Sequence, residues 1–70
     1  MPLSLCKIGE NLKISKISGT SDIKNHLYDL GFVEGSNVSI VNTLAGNLIV
    51  NIKDSRVALD KKLASKIWVE

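Results

Sequence analysis

Three residues at helical spacing carry the chain's best opening for metal chemistry. Asp22 and His26 stand four apart, and Asp29 follows His26 by three. On a helix this spacing stacks a carboxylate, an imidazole and a second carboxylate over successive turns, a donor set that suits Fe²⁺ or another divalent ion. The competing reading makes His26 a helix position flanking the apolar Ile23 and Leu30, with the two acids as solvated neighbours. Three such donors without a fourth recur often by chance. Cys6 is the only cysteine. No base or cation pattern around it would hold a thiolate, Lys7 being merely adjacent, so it reads as a small buried apolar residue. Ser, His and Asp are all present, yet there is no nucleophile elbow and no second His. The phosphate-cradling Gly-x-x-x-x-Gly-Lys-Ser/Thr loop is absent, so the chain is not itself a GTPase. One His and one Cys also fall short of a closed zinc site. The residues therefore point away from an enzyme and away from a resident cofactor. A weakly held divalent ion at Asp22, His26 and Asp29 is the one exception they leave open.

Chemistry of contact is better represented. Ile67 and Val69 share a strand phase, so if they face the core, Trp68 between them faces out. Tyr28 lies about 100° round the helix from Leu27. Exposed Trp and Tyr are the residue types that anchor protein interfaces. Each has an alternative role covering a core edge; that alternative is preferred for Tyr28 and weighs equally for Trp68. Phe32 and Val33, in the turn between Leu30 and Gly35, form an apolar pair that a partner could meet. Nine Lys+Arg against seven Asp+Glu give a formal net charge of +2. The charges up to residue 52 balance, and the excess lies with Lys53, Arg56, Lys61, Lys62 and Lys66. A duplex-DNA binder carries a more concentrated basic face. The expected partner is thus an acidic protein surface and not nucleic acid. The candidate contact residues are Phe32, Val33, Trp68, Arg56, Lys61 and Lys62.

These residues must be positioned by very little protein. Seventy residues, 44% hydrophobic and 23% charged, make one globular domain spanning 1–70. Pockets of about 300–1,000 Å³ are a large bite from such a body. No apolar run approaches the ~20 residues of a membrane span. The Leu3-Ser4-Leu5-Cys6 stretch lacks the preceding regions of a lipoprotein signal. A cytoplasmic location is expected, with the single cysteine reduced.

Leu12–Ile17 begins as an alternating strand and slips phase between Ile14 and Ile17, which predicts a bulge. Ser21 is the expected N-cap of a helix of about nine residues with Ile23, Leu27 and Leu30 on its apolar face. Gly31 should then close the helix with positive φ, and Phe32 should pack back on Leu27. Val33-Glu34-Gly35-Ser36 suits a type II turn, with Gly35 at its third position. Alternation predicts strands over 37–43, 48–52 and 56–59, with turns at Ala45-Gly46-Asn47 and Asp54-Ser55. Asp60 should cap a helical turn over 61–65, and Ile67 and Val69 mark a last strand. Met1–Gly9 is short and mixed, without a pattern. Five short strands with Gly-rich turns suit a mainly β fold, a small SH3-like barrel. One short helix would separate its first two strands, and a helical turn would precede its last.

Three segments in order resemble a known family. Leu27-Tyr28-Asp29-Leu30-Gly31-Phe32-Val33-Glu34-Gly35-Ser36 is similar to the pattern L-x-x-L-G-hydrophobic-x-P-G-x, and Arg56–Val69 to a closing I-A-L…A…I-x-V segment. Leu3-x-x-Cys6-x-x-Gly9 resembles an L-x-x-L-x-x-G opening. The family is FeoA, the small accessory protein of bacterial ferrous iron uptake. Glu34 departs from the family's Pro and leaves that turn less preset. Cys6 replaces a Leu, which agrees with an apolar role. The resemblance implies an SH3-like barrel, no catalytic residues, and a cytosolic role in contact with the membrane GTPase and iron transporter FeoB. Related domains close the iron-dependent repressors, so a free-standing regulatory domain of that type is the alternative. A homo-oligomer is compatible with the strand edges.

Overall fold

The first strand, β1 (Asn11–Ile17), organises the molecule because its two halves pair with different neighbours in the sheet. In a computed structural model covering residues 1–70, its first half pairs antiparallel with β2 (Asn37–Leu44), Leu12 opposite Val38. Its second half pairs with β5 (Ile67–Val69), Ile17 opposite Ile67. The register shifts between Ile14 and Lys16, so Ser15 is the extra residue of a bulge. That extra residue puts both Ile14 and Ile17 into the core despite their odd spacing. It is the phase slip expected from the sequence.

β2, β3 (Asn47–Ile52) and β4 (Ser55–Asp60) follow as a meander. The strand order is β4-β3-β2-β1-β5, all antiparallel. No ladder joins β4 to β5, so the SH3-like barrel is left open there instead of closing. A second bulge lies between Ile40 and Asn42 and sets Val41 out of the ladder. Inward alternation gives Val38 and Ile40 on β2, and Leu48, Val50 and Ile52 on β3, all buried.

The helix α1 (Ser21–Asp29) bridges β1 and β2. Its N-cap is Thr20, one residue before the expected Ser21: the Thr20 hydroxyl accepts from the Ile23 N–H at 3.3 Å. Both are hydroxyl residues, and the chain enters the helix at the earlier one. At the other end the Phe32 N–H donates to the Leu27 carbonyl and the Gly31 N–H to that of Tyr28. This is a full Schellman closure, with Gly31 at φ +102°. It drives Phe32 into the core with none of its surface exposed.

A four-residue α2 (Lys61–Ala64) follows β4, its N-cap Asp60 accepting from the Leu63 N–H at 2.7 Å. Ala64 fills the core under it. The patternless N-terminus also has a defined place. A 3₁₀ turn over Leu3–Leu5 buries Leu3 completely. Ahead of it, Met1 exchanges backbone bonds with Val69, whose N–H reaches the Met1 carbonyl at 2.8 Å. The β3–β4 turn is Lys53-Asp54, with Lys53 at φ +54°, one residue earlier than expected.

Candidate partner-binding surface

The three candidate metal ligands are not joined by a further donor. Asp22, His26 and Asp29 are all exposed on α1, and nowhere do three or more His, Cys, Asp or Glu side chains gather within metal-holding reach. His26 lies in solvent, away from the core that the apolar side of α1 meets. Cys6 is half-buried and not fully so, and its thiol donates to the Pro2 carbonyl at 3.6 Å. Partial burial, reinforced by Glu10, pushes this thiol above its ordinary value of 9.0 and so keeps it protonated.

The apolar turn is also altered. Phe32 is the largest of the fully buried side chains and cannot meet a partner. The reason is the Schellman closure itself, which turns Phe32 inward. Val33 remains half-exposed. The turn behind it is held by the Ser36 N–H on the Val33 carbonyl, with Gly35 at φ +88° as a type II turn requires. Glu34 finds a use where a Pro would only have fixed φ: the Tyr28 hydroxyl donates to its Oε2 at 3.2 Å. Tyr28 packs against the core edge and its phenol is pushed up, first by partial burial and then by the Glu34 carboxylate.

Trp68 is half-buried on the outer face of β5. Its indole N–H donates to the Ser18 hydroxyl at 3.3 Å, and the Lys16 ammonium stands 5.0 Å from the ring centroid. The Ser15 hydroxyl, on the bulge, donates to the Trp68 carbonyl at 3.1 Å. Around the bulge, one strand thus sets a cation over the Trp68 ring and a hydroxyl on the Trp68 backbone carbonyl. The result is a fixed amphipathic platform with one open face, of the kind that anchors interfaces.

The basic candidates lie elsewhere, around β4 and α2. Arg56, Lys61 and Lys62 are all exposed. The Arg56 Nε donates to Asn51 Oδ1 at 3.2 Å, and Asn51 stands beside Ser39 and Ser39 beside Asn11. A polar row thus runs across four strands on the outside of the sheet. An open groove of about 430 Å³ passes over Asn11, Ser39 and Asn51 of this row, and Val38 is the one hydrophobic residue lining it. Neither this row nor the apolar surface of the N-terminal segment shows in the residue pattern along the chain. Met1, Leu5 and Ile8 are each more than half exposed, as is Leu44 at the β2–β3 hairpin. The row could have been found by aligning strand registers; the exposed apolar residues carry no periodic signal. No helix is long and apolar enough to cross a membrane.

Comparison with known proteins covers the whole chain. The FeoA domain family model matches residues 1–70. A curated protein of Methanocaldococcus jannaschii, a candidate Fe(2+) transport protein A by name, is 32% identical over 69 residues, 99% of this chain and 84% of that one. The zinc-complexed crystal structure of a Stenotrophomonas maltophilia FeoA superposes with a TM-score of 0.88 at 25% identity, covering 100% of this chain and 89% of the other. That protein is described as a prokaryotic SH3 domain protein and a candidate ferrous iron transport activating factor. A manganese-dependent transcriptional repressor shares the fold over 99% of this chain and 40% of its own length, with a TM-score of 0.89 at 24% identity.

Proposed function

The chain belongs to the FeoA family, and on that premise we propose that it is a non-enzymatic accessory module of ferrous iron uptake. It acts on the cytoplasmic side by contact with a membrane GTPase transporter of the FeoB type. The observation that carries the reading is the family match along all 70 residues. The shape of the surface supports it. The core takes 14 side chains, and outside it stand groups suited to contact, among them Trp68 with Lys16, the half-exposed Val33, and the basic Arg56, Lys61 and Lys62. Such a distribution supports action through the surface.

The test uses the isotope-labelled chain and the soluble GTPase domain of such a transporter, titrated in the GDP-bound, GTP-analogue-bound and empty states. The expected result is a saturable set of amide shifts that includes Trp68, Val33 or Lys61–Lys62. A flat titration in all three states overturns the reading.

A further inference from the structure

We propose that β4 is a self-association edge, on which a second copy of this chain adds antiparallel about a two-fold axis centred on Ala58. The first observation is that β4 ends the sheet with nothing beside it. The order β4-β3-β2-β1-β5 leaves two outer strands, and only β5 is covered, by Met1 and the Pro2–Trp68 bridge.

The second observation is the hydrogen-bond phase of the edge. The β3–β4 hairpin closes at Ile52 opposite Ser55, with Val50 opposite Val57 and Leu48 opposite Leu59. In a two-residue hairpin the closing pair exchanges backbone bonds, and so does every second pair after it. Ser55, Val57 and Leu59 therefore spend their N–H and C=O groups on β3. Arg56 and Ala58 aim both groups outward, and none of the turn, loop or cap hydrogen bonds takes them up. Asp60 aims its N–H outward while its carbonyl begins α2.

The third observation names the occupant. Arg56, Ala58 and Asp60 are exposed, alternate along β4 and share its outer face. When two β4 strands run antiparallel about Ala58, Ala58 lies opposite Ala58 and each Arg56 lies opposite the other copy's Asp60. Every charge meets its opposite, twice, by symmetry. The central side chain is small enough for close approach. Residue 58 supplies two N–H···O=C bonds, and each Asp60 N–H reaches the opposing Arg56 carbonyl. A uniformly acidic peptide on the same edge would meet Asp60 as a like charge, so the charge order favours a second copy over such a strand. The association extends one five-stranded sheet into a ten-stranded one through the edge that the fold leaves bare.

A single strand edge buries well under the ~1,200 Å² of stable complexes, so the dissociation constant is expected to be roughly millimolar. The experiment is NMR of the full chain over a concentration series together with sedimentation equilibrium. Amide shifts should grow with concentration at Arg56, Ala58 and Asp60. An equal mixture of labelled and unlabelled chain should give an intermolecular contact between the Hα of Val57 and the Hα of Leu59, which become facing residues. Arg56→Glu places like charges at both pairs and should weaken association roughly tenfold. Ala58→Pro removes the central N–H without touching a bond within the chain and should abolish it. Asp60→Asn keeps the helix cap while removing the charge and should weaken it less than Arg56→Glu. Thermal unfolding of dilute samples verifies that each variant is folded. A monomer at all concentrations overturns the proposal. So do shifts confined to Trp68 or the N-terminal segment, or β4 shifts that appear only when an acidic peptide such as oligoglutamate is added.

Discussion

At one border of the sheet, β5 is bonded along both sides and from above. The Val69 N–H and carbonyl are taken by Met1, Glu70 exchanges bonds with Lys13, and Ser15 and Ser18 reach the Trp68 and Lys66 carbonyls with their hydroxyls. At the other border, β4 is bonded to β3 alone and shows Arg56 and Ala58 backbone groups to solvent. The covered border is made of sequence-distant parts, since Met1 and Val69 are 68 residues apart. The bare border is made by a local hairpin. A strand formed by its nearest neighbour needs no second partner to persist, so its outer edge stays free for use. β5 has only three residues and needs every contact it has.

The largest test removes the anchor of the covering segment. Leu3 is fully buried, and Leu3→Ala should cost about 2–5 kcal/mol, read from the shift of the urea midpoint. An effect under about 1 kcal/mol would mean that the segment lies on β5 without holding it. The next test acts at the bare border. Asp60→Ala removes the hydroxyl-free cap that accepts from the Leu63 N–H and should cost about 1 kcal/mol, whereas Asp60→Asn should be nearly neutral for folding. The pair separates the role of Asp60 in α2 from its role on the edge.

Much of this contrast was hidden in the sequence, for a physical reason. The bulge at Ser15, the closure at Gly31 and the cap at Asp60 were legible because each is written within a few neighbouring residues. The placement of Met1–Leu5 was not, since it depends on a bond to residue 69 and on one buried leucine in a patternless stretch. Phe32 carried two readings at once, helix-closing and exposed, and the Schellman bond to Leu27 excludes the second. The basic candidates were legible as charges. What could not be read was which backbone groups beside them stay free, because that needs the hairpin register and the turn moved by one residue to Lys53-Asp54. The small SH3-like barrel was legible from the five short strands and their turns, but strand number does not set the spacing at the seam left open between β4 and β5.

Smaller effects sharpen the same comparison. Lys16→Ala takes the cation from the Trp68 ring on the covered side and should cost about 0.5–1 kcal/mol at this partly exposed site. Arg56→Ala on the bare side should stay within about 0.5 kcal/mol of the parent in dilute solution, since its contact to Asn51 is exposed. Equal losses in the two variants, measured by denaturant unfolding, would erase the distinction between the borders.

The finest probe is pH, because a titrating thiol sits in the covering segment. In the folded chain Cys6 holds its proton above the ordinary value of 9.0, chiefly through burial and then through Glu10, while its thiol donates to the Pro2 carbonyl. As pH rises past that ordinary value, the unfolded chain loses this proton before the folded one does. The folded state then binds more protons, so stability must fall with rising pH, and the contribution is intact only below 9.0. The Tyr28 phenol, raised from 10.0, adds a loss of the same sign further up. Urea midpoints between about pH 7 and pH 11 should therefore decline. Cys6→Ser, whose hydroxyl can donate to Pro2 without titrating in that range, should flatten the first part of the decline, and Tyr28→Phe only the last. Because Cys6 closes the segment that covers β5, its ionisation should loosen that border while the β4 hairpin keeps its hydrogen-bond shifts. A parallel loosening of β4 would show that the two borders are one cooperative unit after all.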